Sequence, residues 1–164
     1  MNIGSIKNIL GKPYFETEEC AIYNGDCLEL MKKMEKSIIG LTVTSPPYNI
    51  GKAYEKVLPV EDYVKWCAEW IKEIHRLSKS NGSFWLNVGY LEMPERAKAL
   101  PIAYLLWDKT DFYMIQEVIW NYSAGVAGRK FFSPRNEKLL WYVKDANNYV
   151  FNYRTIQNSL TICY

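Results

Sequence analysis

The hydrophobic and polar positions of this chain change their spacing several times, from the period of helices to that of strands. The clearest helical pattern runs from Val60 to Lys79, where apolar residues recur every three or four positions. Short apolar stretches rich in β-branched residues predict strands. The predicted strands cover residues 20–24, 38–44, 83–88, 112–121 and 138–144, and the predicted helices cover 27–34, 60–79 and 97–107. Strands alternating with helices predict an α/β fold with a mostly parallel sheet, and the late strands without intervening helix predict an antiparallel edge.

The composition narrows the class of protein. A chain of 164 residues has the length of one domain and enough apolar residues for a sizeable core. No apolar stretch approaches the length of a membrane span, and residues 1–10 lack the pattern of a cleaved signal. The four cysteines show no C-x-x-C spacing, and there is one histidine. We therefore expect a cytoplasmic protein without a membrane partner or a metal site.

Basic residues are concentrated in the last third of the chain. The net charge of +2 is too small to indicate a nucleic-acid partner by itself. From Trp120 onward, however, six Lys and Arg residues stand against two acidic residues, with aromatic residues between them. This pattern is compatible with phosphate contacts and base stacking, and equally with an ordinary solvated surface.

The most informative motif is Thr44-Ser45-Pro46-Pro47-Tyr48, directly after the predicted strand 38–44. The two prolines predict a rigid, extended loop with fixed φ angles and no N–H groups of their own. In open α/β sheets, ligands bind at the carboxyl ends of strands. The Ser45 hydroxyl and the Pro46 carbonyl could accept hydrogen bonds from an amino group, while Tyr48 could stack on a flat ring. A proline pair in such a loop can also be purely structural.

The motif Ser45-Pro46-Pro47-Tyr48 resembles the catalytic motif of the DNA amino-methyltransferases, which methylate cytosine N4 or adenine N6. Several other segments follow the order of the permuted, beta-type members of this family. They are residues 21–31, with Asp26 after a strand, and the segments 49–52, 81–87 and 135–141. The resemblance spans most of the chain, roughly from Tyr23 to Tyr153. It implies a Rossmann-like fold that uses S-adenosylmethionine.

The resemblance also implies roles for individual residues. Ser45 and the Pro46 carbonyl would hold the hydrogens of the target amine, Pro47 would hold the turn, and Tyr48 would stack on a base flipped out of double-stranded DNA. Asp26, with Cys27 beside it, maps onto the position that contacts the cofactor adenine. An aspartate there can also cap the helix that follows, and both interpretations remain open.

The chain departs from the family at its main cofactor loop. A Gly-rich turn of the Phe-x-Gly-x-Gly kind is expected beyond the catalytic strand, but neither 87–90 nor 125–128 has its spacing. We therefore interpret residues 1–164 as the N-terminal catalytic half of a permuted enzyme, without the Gly-rich half. A second polypeptide supplying that half, a truncated gene product and a fragment of a longer protein are three explanations. In each case we expect an incomplete sheet with an exposed edge.

The segment from Ser123 to Arg135 is a Gly-containing, basic loop after a predicted strand. Within the region 120–164, we predict that Arg129, Lys130 and Arg135 contact DNA phosphates. The same residues could instead keep a surface connection solvated, and Arg135 could form a local pair with Glu137.

The predicted function is an S-adenosylmethionine-dependent DNA methyltransferase of the restriction-modification type, acting on cytosine N4 or adenine N6. A serine at the first motif position favours cytosine N4 in this family, although adenine N6 enzymes also carry it. The alternative from another class is a non-catalytic DNA-binding or assembly module that retains the fold. Short sequence patterns do not encode which DNA sequence is recognised.

Overall fold

The computed structural model describes residues 3–123 and 129–153, which form four helices and eight strands. The helices are α1 (Ile3–Leu10), α2 (Cys27–Lys33), α3 (Val60–Leu77) and α4 (Ala103–Leu106). The strands are β1 (Phe15–Glu16), β2 (Ala21–Ile22), β3 (Ile39–Thr44), β4 (Ser78–Val88), β5 (Tyr90–Met93), β6 (Ala97–Pro101), β7 (Tyr113–Asn121) and β8 (Asn136–Val143). None of the described helices is long and apolar enough to cross a membrane.

The central sheet has four strands in the order β3-β4-β8-β7. β3 pairs with β4 in parallel, whereas β8 is antiparallel to both β4 and β7, so β8 alone runs against the other three. The α/β class and the antiparallel pairing of the late strands agree with the sequence prediction. The sheet is mixed rather than mostly parallel, because one of its three described pairings is parallel and two are antiparallel. The pairs Thr44–Leu86 and Val88–Lys138 bring the carboxyl ends of β3 and β4 to the amino end of β8. Residues that follow β3 and β4 or begin β8 therefore lie close together.

Helix α3 covers one face of the sheet and forms the core with it. The apolar stripe of α3 is buried. Its buried residues are Tyr63, Cys67, Trp70, Ile71, Ile74 and Leu77. Opposite it, Phe84, Leu86 and Val88 of β4 are completely buried. Burial of an aliphatic or aromatic side chain of this size contributes about 1.5–3 kcal/mol. This packing fixes the strands that carry the loops at the carboxyl edge of the sheet.

The segment 97–107 and the boundary between α3 and β4 differ from the sequence prediction, and α1, β1 and β5 lie where no element is predicted. The segment 97–107 is not one helix, because β6 pairs with β5 as a hairpin and only the four residues of α4 are helical. Pro101 lacks the N–H that a helix interior needs, and it lies opposite Tyr90 at the end of the hairpin. Strand β4 begins at Ser78 because the backbone becomes extended there, with φ −68° and ψ 136°, which ends α3 two residues early.

The free edge of β3 and the apolar side chains of β3 on the second face of the sheet are uncovered by the described residues. Leu41 and Val43 of β3 are 58% and 65% exposed. Beside them, Trp85 and Trp141 stack with ring centroids 5.1 Å apart, and Phe151 packs on Trp141. Within the described part of the chain, no strand pairs with the other side of β3. The sheet thus has the exposed edge that we predict for an incomplete fold.

Candidate active site

The loop after β3 holds the four residues of the predicted catalytic motif. Pro46 is buried, whereas Ser45 and Pro47 are exposed. The Tyr63 hydroxyl of α3 donates a 2.8 Å hydrogen bond to the Pro47 carbonyl, which ties the loop to the core. Among the described residues, no donor reaches the Pro46 carbonyl. The loop therefore presents one free backbone acceptor next to the Ser45 hydroxyl.

Tyr48 is held by polar partners from three elements. Its hydroxyl donates to Glu137 Oε2 at 3.1 Å, accepts from Asn87 Nδ2 at 3.1 Å and lies 3.0 Å from Ser45 Oγ. Asn87 Nδ2 also donates to Glu137 Oε2 at 2.6 Å. Because Asn87 is next to the last residue of β4 and Glu137 is the second residue of β8, the register of the sheet brings these two side chains to the loop after β3.

The ring of Tyr48 rests against the backbone of Gly89. A Cβ atom at residue 89 would lie 2.7 Å from Tyr48 Cε2, which is closer than real contacts allow. Glycine is therefore required there by the close approach of the ring. Burial raises the pKa of Tyr48 to about 12; the hydrogen bond with Ser45 lowers it, and the charge of Glu137 raises it. The phenol is thus protonated at neutral pH.

Two cavities border the loop from Ser45 to Tyr48. The first, of about 420 Å³, is lined by Ser45, Pro46, Pro47, Tyr48, Tyr54, Asn87 and Glu137. The second, of about 390 Å³, is mostly apolar, and its walls include Cys27, Met31, Trp66, Trp70 and the same Ser45, Pro46 and Pro47. Both volumes are in the range of small-molecule sites. Ser45, Pro46 and Pro47 separate the two spaces and belong to both.

Asp26 and Cys27 take different positions relative to this loop. Asp26 caps α2, and its Oδ1 accepts a 3.0 Å hydrogen bond from the Glu29 backbone N–H. Asp26 therefore caps the helix, which is one of the two roles that the sequence leaves open, and the cap occupies one of its two carboxylate oxygens. Cys27 lines the apolar cavity together with Ser45.

The segment that follows Tyr48 is folded back by two side chains. Asn49 has a φ of +60°, and its amide bonds both the N–H and the C=O of Leu58, at 2.7 and 2.8 Å. The Glu55 carboxylate accepts from the backbone N–H groups of residues 49, 50 and 52. Asn49 therefore serves the loop conformation, and the segment carries Tyr54, 77% exposed, to the wall of the first cavity.

The predicted DNA-contacting residues follow β7, whose last residue pairs with the first residue of β8 near the loop from Ser45 to Tyr48. Arg129, Lys130 and Arg135 are all exposed. Arg135 Nη1 contacts the Ser123 carbonyl at 3.4 Å. The local pair with Glu137, which the sequence leaves open as an alternative for Arg135, is not formed, because the Glu137 carboxylate is turned to Tyr48 and Asn87. Positions 125–128 and the terminal part of region 120–164, from residue 154, lie outside the described residues.

Asn87, Glu137 and Tyr54 belong to the site but were not predicted as site residues. Asn87 and Glu137 are 50 positions apart, and only the pairing of β4 with β8 brings them together. Tyr54 lies in a loop without periodicity. Its position depends on the Asn49 and Glu55 contacts, for which the sequence offers no local signal. Within residues 3–123 and 129–153, no cluster of three His, Cys, Asp or Glu side chains could hold a metal ion.

Comparisons with known proteins agree on one family. A family model for N6 and N4 enzymes, described as DNA methylase, matches residues 39–161. The Type II methyltransferase M.ScaI of Streptomyces caespitosus is 58% identical over 156 residues, covering 95% of this chain and 51% of that protein. The chain thus spans about half the length of this relative, and 35% and 46% of two others.

Solved structures share the fold of the chain. The PvuII DNA methyltransferase, named as cytosine-N4-specific, matches with a TM-score of 0.66 and 21% identity over 82% of this chain and 52% of that one. TTHA0409 of Thermus thermophilus, complexed with S-adenosyl-L-methionine, matches with a TM-score of 0.61 and 19% identity over 84% and 61%. The sheet is therefore part of the fold of S-adenosylmethionine-dependent methyltransferases. With the family match over most of its length, the chain belongs to the N6/N4 DNA methylase family.

Proposed function

We propose that the chain is the catalytic half of an S-adenosylmethionine-dependent DNA methyltransferase of the restriction-modification type. The target is the exocyclic amino group of cytosine (N4) or adenine (N6). The observation that carries this proposal is the loop from Ser45 to Tyr48, whose free acceptors border an open cavity while Tyr48 is fixed by Asn87 and Glu137. Because its substrate is DNA, we expect the enzyme to act in the cytoplasm.

The chemistry requires acceptors rather than a strong base. The lone pair of an exocyclic amine is delocalised into its ring, which makes the nitrogen a poor nucleophile. Ser45 Oγ and the Pro46 carbonyl can each accept one amino hydrogen and so favour a pyramidal nitrogen. Tyr48 provides an aromatic surface for the flipped base. Their contribution is positioning and electrostatic stabilisation of the positive charge that develops on the nitrogen.

The apolar cavity next to the catalytic loop fits one side of a cofactor site. Its walls are mostly apolar and include Cys27, and Ser45, Pro46 and Pro47 stand at the border with the cavity for the base. The second Asp26 oxygen could accept from a ribose hydroxyl or an adenine amino group. Bound S-adenosylmethionine supplies an electrophilic methyl group on a sulfonium. Residues of the chain would orient this group and exclude water from the side formed by Trp66 and Trp70.

The Gly-rich half would complete the cofactor site along the free edge of β3. A second polypeptide or further chain would supply this half. A parallel strand is normally buried on both sides, and β3 has a partner only in β4 among the described residues. Leu41 and Val43 are exposed at this edge, as expected for apolar positions that a further layer covers. Ile39 and Val43 of β3 also line the apolar cavity next to the loop.

Double-stranded DNA would approach from the carboxyl edge of the sheet. Arg129, Lys130 and Arg135 are exposed beyond β7, whose neighbour β8 begins at the catalytic site. Lys and Arg side chains in this position can bind phosphates without reading sequence. Their contacts would hold the duplex while the target base leaves the stack.

A methyl-transfer assay tests the proposal. The chain is co-expressed with the part of M.ScaI that it does not match, and transfer from labelled S-adenosylmethionine to DNA is measured. We expect Ser45→Ala to reduce transfer about 100-fold or more, because one of two acceptors for the amine is lost. Ser80→Ala, at an exposed position of β4, is the matched control and should leave transfer unchanged.

The outcomes separate the two classes of function. Transfer that survives Ser45→Ala in a folded complex would overturn the role of the loop. A complex that binds DNA but transfers no methyl group would support the non-catalytic module instead. Circular dichroism of each variant verifies that the fold is retained.

A further inference from the structure

The Tyr48 hydroxyl has three polar neighbours but only one hydrogen to donate. Asn87 Nδ2, at 3.1 Å, is an amide nitrogen and can only donate. Glu137 Oε2, at 3.1 Å, is a carboxylate oxygen and accepts. The single hydroxyl hydrogen of Tyr48 is therefore directed to Glu137, and the phenol oxygen is left as an acceptor for its other neighbours.

The donation from Tyr48 to Glu137 determines the direction of the hydrogen bond between Tyr48 and Ser45. Ser45 Oγ lies 3.0 Å from the Tyr48 hydroxyl, and either oxygen could be the donor from distance alone. With the Tyr48 hydrogen on Glu137, Ser45 has to donate. A serine hydroxyl has one hydrogen and two lone pairs. Once its hydrogen is on Tyr48, Ser45 can present only acceptors to the cavity, which is what an amino group requires.

The orientation of Asn87 is itself fixed by the carboxylate. Its Nδ2 donates to Glu137 at 2.6 Å, and the reversed amide would place two acceptor oxygens against each other. Asn87 and Glu137 stand on β4 and β8, which pair in register at this point. Side chains on paired strands are held more rigidly than side chains on a loop. The direction of the hydrogen bonds is thus imposed on the catalytic loop by the sheet.

We propose that Glu137 and Asn87 are positioning residues that orient a hydrogen-bond chain from Ser45 through Tyr48 to Glu137, so that Ser45 offers only acceptors to the target amine. The direction of this hydrogen-bond chain follows from the positions of its donors and acceptors alone. Its use toward an amine rests on the proposed function. If Tyr48 donated to Ser45 instead, the Ser45 hydrogen would be free to point at the amine and repel its hydrogens.

The electrostatics of Tyr48 agree with this direction. Burial is the largest cause of its raised pKa of about 12, the Ser45 hydrogen bond lowers the pKa, and the Glu137 charge raises it. A donor hydrogen bond to a phenol oxygen favours the phenolate, and a neighbouring carboxylate disfavours it. Tyr48 therefore keeps its hydrogen, which is necessary for donation to Glu137.

A neutron crystal structure of the deuterium-exchanged chain tests the direction without relying on activity. We expect one deuterium between Tyr48 and Glu137 and another between Ser45 and Tyr48, bonded to Ser45 Oγ. A Tyr48 deuterium that points at Ser45 would overturn the proposal. Because this measurement involves no substrate, it can succeed even if the proposed methyl transfer is wrong.

A double-mutant cycle in the complex with the M.ScaI part tests the positioning role. We expect Glu137→Gln to slow methyl transfer about tenfold, and to add little when Tyr48→Phe has already removed the hydroxyl. Glu117→Gln, at a carboxylate that pairs with Lys138 in the same sheet, is the matched control. Equal effects of Glu137→Gln with and without the Tyr48 hydroxyl would mean that Glu137 acts only on the fold and would contradict the proposal.

Discussion

At the residue scale, the close contact between the Tyr48 ring and the Gly89 backbone restrains the position of Tyr48. The Tyr48 ring occupies the space that a side chain at residue 89 would need, with distances of 2.7 and 2.9 Å from the hypothetical Cβ to two ring carbons. The same ring carries the hydroxyl that bonds Ser45, Asn87 and Glu137. A shift of the ring would therefore disturb all three contacts together.

We predict that Gly89→Ala destabilises the chain by about 1–3 kcal/mol, because the added methyl group forces the Tyr48 ring or the backbone to move. Urea denaturation followed by circular dichroism measures the free energy of unfolding. Gly40→Ala is the matched control, since a Cβ at residue 40 meets no atom within 4 Å. Equal stability of the two variants would show that the ring does not depend on a glycine at residue 89.

The residues of the site differ in how far the sequence reveals them. Ser45 to Tyr48 are contiguous, so a rigid acceptor-bearing loop after a strand can be predicted from four letters. Asn87 and Glu137 have no such signal, because their meeting depends on the register that pairs Asn87 with Leu139. A local pair with Arg135 is one of the alternatives that the sequence leaves open for Glu137, whereas in the sheet its carboxylate accepts from Tyr48 and Asn87.

At the scale of elements, helix α3 was predictable and the segment 97–107 was not. The buried stripe of α3 has a single period over 18 residues, with acidic residues in its first turn and basic ones in its last. Segment 97–107 contains a short strand and a single helical turn. Taken together, their apolar residues have the spacing of one continuous helix. Pro101 was the one local sign against a continuous helix.

The segment from Asn49 to Leu58 is an element without regular structure, held by a carboxylate. Burial alone would raise the pKa of Glu55, but hydrogen bonds from the N–H groups of Lys52, Ile50 and Asn49 outweigh it and lower the pKa below its usual 4.5. A lowered folded-state pKa means that the ionised carboxylate stabilises the fold above the usual pKa. This stabilisation is lost as the pH falls through the folded-state value.

We therefore predict that Glu55→Gln lowers the melting temperature at about pH 7 and that the difference from the unmodified chain is smaller at about pH 3. Thermal denaturation of both proteins at the two pH values measures this difference in melting temperature. Glu18→Gln, at an exposed carboxylate without a hydrogen bond among the described residues, should show no such difference. A Glu55→Gln effect that persists at low pH would exclude the charge as its cause.

At the scale of the whole molecule, the candidate site lies at one end of the strands, and β3 has a free side among the described residues. The ends of β3, β4 and β8 meet at the loop from Ser45 to Tyr48, while Leu41 and Val43 remain exposed along β3. The chain covers 51% of M.ScaI. The missing Gly-rich pattern allowed a partial fold to be predicted from the sequence, whereas the side on which the sheet is open depends on strand order and required the structure.

The most direct test of the central claim is the chemical identity of the methylated nucleoside. DNA treated with the complex of this chain and the M.ScaI part is digested to nucleosides and analysed by mass spectrometry. We expect the methyl group on an exocyclic nitrogen, as N4-methylcytosine or N6-methyladenine, and its loss in Ser45→Ala. A methyl group on a ring carbon, or an unchanged yield from Ser45→Ala, would contradict the role assigned to the loop.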